Sequence, residues 1–168
     1  TSGSVLLDND AIDIMCRRLL PMATVITPNI HEAEVLANMK IINKDDIKLA
    51  ARRILDYGCG AVLIKGGHIE GNNKCDILVE RKQNGYYEEH EYNSITVDSK
   101  NTHGTGCTLS SAIAAYLAQG MNLPNAVKEA KEYVTMAIAE GADVSIGRGH
   151  GPSNHFYNPM KMKKINNR

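Results

Sequence analysis

The stretch richest in possible chemistry is Asn101-Thr102-His103-Gly104-Thr105-Gly106-Cys107-Thr108-Leu109-Ser110-Ser111. Two glycines flank a threonine just before a run, Leu109, Ile113, Tyr116 and Leu117, whose spacing predicts a helix. Backbone N–H groups at a helix start lack intrahelical acceptors, and the macrodipole adds about half a positive charge there. Glycines let a ligand oxygen approach the backbone. The combination is an anion hole, suited to a phosphate in transfer. Cys107 falls in the first turn, where the same field favours a thiolate, so it could act as a base or nucleophile. The same residues also make an ordinary loop before a helix, with Cys107 as a small core residue. The spacing matches neither the Walker nor the dinucleotide fingerprint. The residues alone leave these two readings evenly balanced.

Three further stretches could handle phosphate or metal. Asn29-Ile30-His31-Glu32 places a Glu three residues after an Asn. That is close to a capping box, which accounts for the pair by itself. The alternative is a carboxylate at a sheet edge that holds a hydrated magnesium. Lys65-Gly66-Gly67-His68 ends an apolar run. Ligands of open α/β sheets sit beyond the carboxyl ends of strands, and a Lys there can neutralise phosphate as a point charge. A plain strand-to-turn transition, with Lys65 reaching solvent, is the other reading. Gly147-Arg148-Gly149-His150-Gly151-Pro152 is a phosphate-facing loop or only a connection. His31, His90 and His155 lack ligand spacing and read as surface or satisfied residues. Cys16, Cys59, Cys75 and Cys107 contain no CxxC pair, which excludes a zinc framework or a disulfide scaffold.

These residues need elements to hold them. Ile12, Met15, Leu19 and Leu20 recur at helical spacing, and Thr24–Thr27 is a short β-branched run stopped by Pro28. Ala33, Leu36 and Ala37 predict a short helix. Ile47, Ala51, Ile54 and Leu55 predict another, capped by Asp45 or Asp46 and ended at Gly58. Ala61–Lys65 resembles the fully buried strands of parallel sheets. Cys75–Glu80 and Tyr86–Tyr92 flank Asn84-Gly85, the strongest short hairpin signal. Ile95–Val97 is a third run. Val127, Ala130, Val134, Ala137 and Ile138 predict a last helix, with Pro124 near its first turn and Gly141 past its end. The seven methionines are expected to fill core. Strands alternating with helices, plus a hairpin, give an α/β sheet with mixed pairing. We expect one domain over 1–160 and a frayed basic tail over 161–168.

Composition narrows the function. Of 168 residues, 43% are hydrophobic and 23% charged, which excludes disorder, collagen and coiled coil. Lys plus Arg and Asp plus Glu each number 19, so nucleic-acid binding by bulk charge is not expected. No apolar run approaches the ~18 residues of a membrane helix. The free thiols and the absence of a signal-peptide pattern lead us to expect a cytoplasmic protein.

Asn101–Ala115 (NTHGTGCTLSSAIAA) closely resembles the anion-hole segment of hydroxymethylpyrimidine/phosphomethylpyrimidine kinases of thiamine biosynthesis, in the ribokinase superfamily. Thr27–Leu36 (TPNIHEAEVL), Val62–His68 (VLIKGGH) and Gly147–Phe156 (GRGHGPSNHF) match further stretches of that family in the same order, and Thr1–Asp8 resembles the piece after its mid-chain strand. The resemblance implies a ribokinase-like fold, a mostly parallel central sheet flanked by helices, here without the family's N-terminal strands. It implies ATP and magnesium (Mg2+) as cofactors and a small-molecule pyrimidine as substrate. The γ-phosphoryl of ATP would pass to the hydroxymethyl group of the pyrimidine and then to the resulting monophosphate. Gly104, Thr105, Gly106 and Cys107 would form the anion hole, with Cys107 catalytic. Asn29, Lys65, Gly67 and His103 would contact ATP or its phosphates, and Glu32 would organise the metal. Most sugar kinases of the superfamily place Asp where Cys107 stands. The family is longer, and the portion before Thr1 contributes most of its pyrimidine pocket. Ser153 replaces a small apolar residue of the family between Pro152 and Asn154. A pyridoxal kinase of the same branch and a non-catalytic nucleotide-binding fragment are the rival readings. An open sheet lacking strands is also expected to associate, as a homo-oligomer.

Overall fold

Ala61–Ile64 is four apolar residues with every side chain buried, and the first half of the fold is built around it. The computed structural model describes residues 9–66 and 74–160. The expectations for Thr1–Asp8, for Gly67 and His68, and for the tail 161–168 lie outside the described residues. The elements in order are α1 (Asn9–Ile14), α2 (Ile30–Ala37), α3 (Lys44–Leu55), β1 (Ala61–Ile64), β2 (Lys74–Arg81), β3 (Tyr87–Ser94), α4 (Thr105–Ala118) and α5 (Leu123–Ala139). They fall into two compact units, Thr1–Thr96 and Val97–Arg168.

In the first unit the sheet order is β1-β2-β3, and both pairings are antiparallel. This differs from the mostly parallel sheet that the family resemblance implies. The parallel component is the extended segment beside β1, with Ile26 bridged to Val62 and Asn29 to Lys65. Ile26 N–H donates to Ala61 (3.1 Å), Leu63 N–H to Ile26 (2.8 Å) and Lys65 N–H to Pro28 (2.9 Å). Pro28 can accept but not donate, so the β-branched run Thr24–Thr27 pairs through bridges without extending into a regular strand. β1 thus has a neighbour on each side, which is why all of it is buried.

α3 shows how sequence sets packing. Its cap is Asn43, not Asp45 or Asp46: Asn43 Oδ1 accepts from Asp46 N–H (2.9 Å), and Asp46 returns a bond to Asn43 N–H (3.2 Å). Asp46 is the reciprocal member of a capping box rather than the cap. Ile47, Ala50, Ala51, Ile54 and Leu55 then face the core made with Val62, Ile64, Ile77 and Val79. A fully buried Ile or Leu of this kind contributes roughly 1.5–3 kcal/mol, so truncating Ile54 to Ala removes a main support. The hairpin closes as Asn84-Gly85 predicts. Gly85 N–H donates to Lys82 (2.9 Å) at φ +81°, a left-handed conformation that glycine adopts freely.

Before this core, α1 widens after Ile14 into a π-type turn over Met15–Leu19, where Leu20 N–H reaches back to Met15. Cys16 and Leu20 are buried there, while Ile14, Leu19 and Met22 are exposed. The methionines of the described residues do not fill core as expected. Met15 and Met39 pack against it, but Met22 and Met160 are about four-fifths exposed.

In the second unit α4 and α5 pack together through Leu109, Ile113, Leu123, Ala126, Val127, Ala130 and Ala137. Asn122 caps α5 by accepting from Asn125 N–H (3.0 Å), and Pro124 occupies the first turn. Ile95–Val97 is not a strand, and Ile95 is exposed. Among the described residues no helix is long and apolar enough to cross a membrane.

Candidate functional site

Three helices begin on a capping side chain: Asn29 for α2, Asn43 for α3 and Asn122 for α5. α4 does not. Its cap position is Gly104, at φ +82°, and no side chain bonds its first turn. Thr108 N–H makes the first helical bond, to Gly104 (2.9 Å), and Thr105 N–H makes a long one to Thr102 (3.5 Å). Among the described residues the N–H groups of Gly106 and Cys107 have no backbone acceptor. Two unsatisfied donors at the positive end of a four-turn helix form a cradle for anionic oxygen. Nothing within 4 Å would obstruct even a Cβ on Gly104, so the approach is open.

Cys107 is exposed beside these donors, whereas Cys16, Cys59 and Cys75 are buried. That removes the packing explanation for Cys107. Burial, with the nearby Asp13 charge, pushes the Cys16 thiol up from its ordinary value, and burial does the same to Cys59. Both therefore stay protonated. His103, also exposed, uses its backbone: its N–H donates to Gly151 (3.1 Å), and it bridges Pro152. The structure thus brings His103, Gly104, Thr105, Gly106 and Cys107 together with the Gly147–Pro152 loop in one unit.

Sequence reasoning missed the residue that joins them. Asn101 is buried, and its Nδ2 donates to the carbonyls of Gly141 and Val144, both at 2.6 Å. Its own N–H donates to Ser99 Oγ (3.0 Å). A Cβ on Gly151 would lie 2.0 Å from Asn101 Oδ1, so only glycine fits there. The partners are 40 and 43 residues away, and no local spacing reveals them. The segments Asp98–Asn101 and Ala142–Gly147, with Gly149, line an open polar cavity of about 390 Å3.

The first unit gathers Asn29, Glu32 and Lys65. Asn29 and Lys65 are bridged, so both stand at the carboxyl ends of parallel neighbours. Asn29 and Glu32 form the capping box that their spacing allowed: Glu32 N–H donates to Asn29 Oδ1 (2.9 Å), and Asn29 N–H donates to Glu32 Oε2 (2.8 Å). Glu32 is exposed and retains its other carboxylate oxygen. Among the described residues Lys65 has no carboxylate within ion-pair distance. Gly66 is required for packing, since a Cβ there would lie 1.7 Å from the Cys75 carbonyl oxygen. Its N–H donates to the buried Asp76 Oδ1 (3.0 Å), a support for this turn that the sequence did not disclose.

His90 is not the isolated residue its sequence position suggested. Glu80 and Glu88 are cross-strand partners, and His90 Nε2 lies 3.4 Å from Glu88 and 3.7 Å from Glu80. Lys82 Nζ already answers both carboxylates, at 2.6 Å from Glu88 and 3.4 Å from Glu80. Lys82 thus pairs with both carboxylates, while the buried His90 Nε2 has no hydrogen-bond partner among the described residues.

The comparisons with known proteins bear on these features. The phosphomethylpyrimidine kinase family model matches residues 1–154, and the chain belongs to that family. It is 42% identical to a hydroxymethylpyrimidine/phosphomethylpyrimidine kinase of Streptomyces coelicolor over 153 residues, covering 91% of this chain and 54% of that relative. The chain thus spans about half the length of that relative. The pyridoxal kinase of Staphylococcus aureus in complex with AMP-PCP superposes with a TM-score of 0.82 at 32% identity, over 96% of this chain and 57% of that one. The phosphomethylpyrimidine kinase of Clostridium difficile 630 superposes with a TM-score of 0.65 at 40% identity, over 82% and 53%.

Proposed function

We propose that this chain is the phosphoryl-transfer part of a ribokinase-like enzyme. The enzyme would use ATP to phosphorylate 4-amino-5-hydroxymethyl-2-methylpyrimidine and then its monophosphate, in thiamine diphosphate biosynthesis. The observation that carries this reading is the uncapped start of α4, with unsatisfied Gly106 and Cys107 N–H groups beside an exposed thiol. In this reading residues 1–160 are the C-terminal part of one kinase domain of a cytoplasmic homo-oligomer.

Phosphoryl transfer needs positioning and charge stabilisation more than covalent chemistry. The α4 N-terminus holds the charge that develops on the transferred group. Cys107 Sγ takes the proton of the attacking hydroxyl as the new oxygen–phosphorus bond forms and the bond from γ-phosphorus to the ADP leaving oxygen breaks. In the second step the acceptor is already an anionic phosphate, so the donors matter more than the thiol. Asn29, Lys65, Gly67 and His103 supply contacts to ATP. Asn29 Oδ1 and Glu32 Oε2 are spent on the capping box, so Glu32 would hold magnesium through its remaining oxygen and the ion's water shell. Bound magnesium supplies neutralisation of phosphate charge.

In the natural protein, Cys107→Ala should slow phosphorylation of the alcohol by about 10²–10⁴-fold, the range for losing a positioned base. ATP affinity should hold, since the backbone donors remain, and the monophosphate step should suffer less. Measuring kcat for both steps, with Cys16→Ala, Cys59→Ala and Cys75→Ala as controls, checks this. Near-normal turnover of the alcohol by Cys107→Ala would remove the base assignment. Pyridoxal is the second substrate to test, because a pyridoxal kinase superposes at a TM-score of 0.82. Parallel kinetics on the two alcohols would decide between them.

A further inference from the structure

We propose that Asn101 is the positioning residue of the anion hole: its carboxamide splints the turn after α5 to the loop that opens α4. The amide NH2 has two protons and spends one on the carbonyl of Gly141 and one on that of Val144, both at 2.6 Å. Val144 N–H donates back to Gly141 (3.3 Å), so the bonded carbonyls belong to one closed turn. On its other side the carboxamide oxygen occupies the space where any larger residue 151 would put its Cβ. Gly151 then accepts from His103 N–H (3.1 Å), one residue before the helix cap. The path is continuous: the Gly141–Val144 turn, Asn101, Gly151, His103 and the Gly104 cap. Each link is a hydrogen bond, a steric stop or a peptide bond, and Asn101 touches both sides of the loop.

The geometry explains why an amide stands here. The two facing groups are carbonyl oxygens, which call for two donors on one atom. Of the small side chains, only Asn offers these at this length. A carboxylate of the same shape would set lone pairs against lone pairs at 2.6 Å. Asn101 is only 5% exposed, so water gives that conflict little relief. The donors of Gly106 and Cys107 have no cap of their own, and their aim depends on the loop before them.

The kinetic part of this inference rests on the phosphoryl-transfer reading above; the thiol part does not. On the full natural protein, Asn101→Asp should lower kcat by about 10²-fold, the size of a misplacement near 1 Å. KM for ATP should change by no more than about threefold, since the transition state and not the ground state loses contacts. Independently, alkylation of Cys107 by iodoacetamide should change rate in Asn101→Asp while Cys16, Cys59 and Cys75 stay protected, which shows that the core remains folded. Gly151→Ala should reproduce both effects in the wild-type background, yet add nothing to Asn101→Ala, which vacates the clashing space. If folded Asn101→Asp keeps its kcat and its Cys107 alkylation rate, Asn101 is only a packing residue and the proposal fails. If alkylation shifts but no variant, nor the wild type, transfers phosphate, the positioning role stands and the kinase reading falls.

Discussion

A hydroxyl sealed from water with nothing to bond is a local cost, and Ser153 has one. The residue is 5% exposed, and its Oγ has no hydrogen-bond partner among the described residues. It sits between Pro152, bridged to His103, and Asn154, whose N–H donates to Ala137 (2.8 Å). An unsatisfied buried hydroxyl costs about 1–3 kcal/mol, of which a methyl in its place recovers a part. Ser153→Ala should therefore stabilise the protein by about 1 kcal/mol, raising Tm by roughly 2–4 °C. Differential scanning calorimetry checks this; an unchanged or lower Tm would mean that the hydroxyl has a role the fold does not reveal. The residues around it differ in how far sequence alone exposed them. The helix start at Gly104, Thr105, Gly106 and Cys107 was legible because it is local: a glycine pair and the beginning of an apolar period lie within one turn. The Asn29–Glu32 capping box was legible for the same reason. Asn101 and Asp76 were not, because a buried polar side chain is recognised by partners that the fold brings from 10 to 43 residues away.

At the scale of elements, α3 and β3 are zipped by charge. Lys44, Lys48 and Arg52 stand one helical turn apart, a rise of about 6.0 Å per step. Tyr87, Glu89 and Glu91 stand two strand residues apart, about 6.8 Å per step. The near match lets each helix cation meet a strand partner. Lys44 lies 3.2 Å from Glu91, Lys48 lies 3.1 Å from Glu89 and 3.6 Å from Glu91, and Arg52 lies 2.7 Å from Glu89. Arg52 also lies over the Tyr87 ring at 5.0 Å. Burial works against the ionised Glu89, but Arg52 and Lys48 outweigh it and hold its carboxyl below the ordinary value. The bond from Lys44 does the same for Glu91 against a smaller burial cost. A carboxyl whose folded value is depressed stabilises above its unfolded value, near 4.3, and loses that contribution as pH falls through the folded value. Tm should thus be flat from about pH 7 to 5 and decline below about pH 4. Glu89→Gln/Glu91→Gln should lower Tm at neutral pH by a few degrees, since screened pairs give about 0.2–1 kcal/mol each. The two curves should converge in acid. A constant gap between variant and wild type down to pH 3 would assign the loss to packing. The sequence marked both elements, α3 by its apolar stripe and β3 by the turn before it. It did not show the charge zipper, because two periods must be laid side by side before they match. It also did not show that β1 pairs antiparallel with β2, since an apolar run of this length carries no direction.

For the whole molecule, the two sides of the sheet are treated differently. β3 ends the sheet on one side and presents Glu88, Glu89, His90 and Glu91, a charged edge of the kind that discourages pairing with another chain. Beyond β1 lies the extended segment bridged at Ile26 and Asn29, and from Leu19 to Ile30 the chain has no charged residue. Ile14, Leu19 and Met22, just before it, are 58%, 59% and 81% exposed. Exposed apolar surface next to an uncharged edge favours association. The chain spans about half of the Streptomyces coelicolor relative, so the rest of that longer protein has the length to cover this region. The 168-residue chain expressed alone should therefore self-associate at micromolar concentration, seen as a rising weight-average mass in light scattering. Val25→Lys, which puts a charge on that edge, should shift the chain toward monomer with little change in Tm, because Val25 is only half-buried. The charged β3 edge predicts the opposite for Glu89→Lys, which should lower Tm by opposing Lys48 and Arg52 and leave the mass unchanged. A single monomeric species across the whole concentration range, or association that Val25→Lys leaves intact, would mean that this edge is not where chains meet.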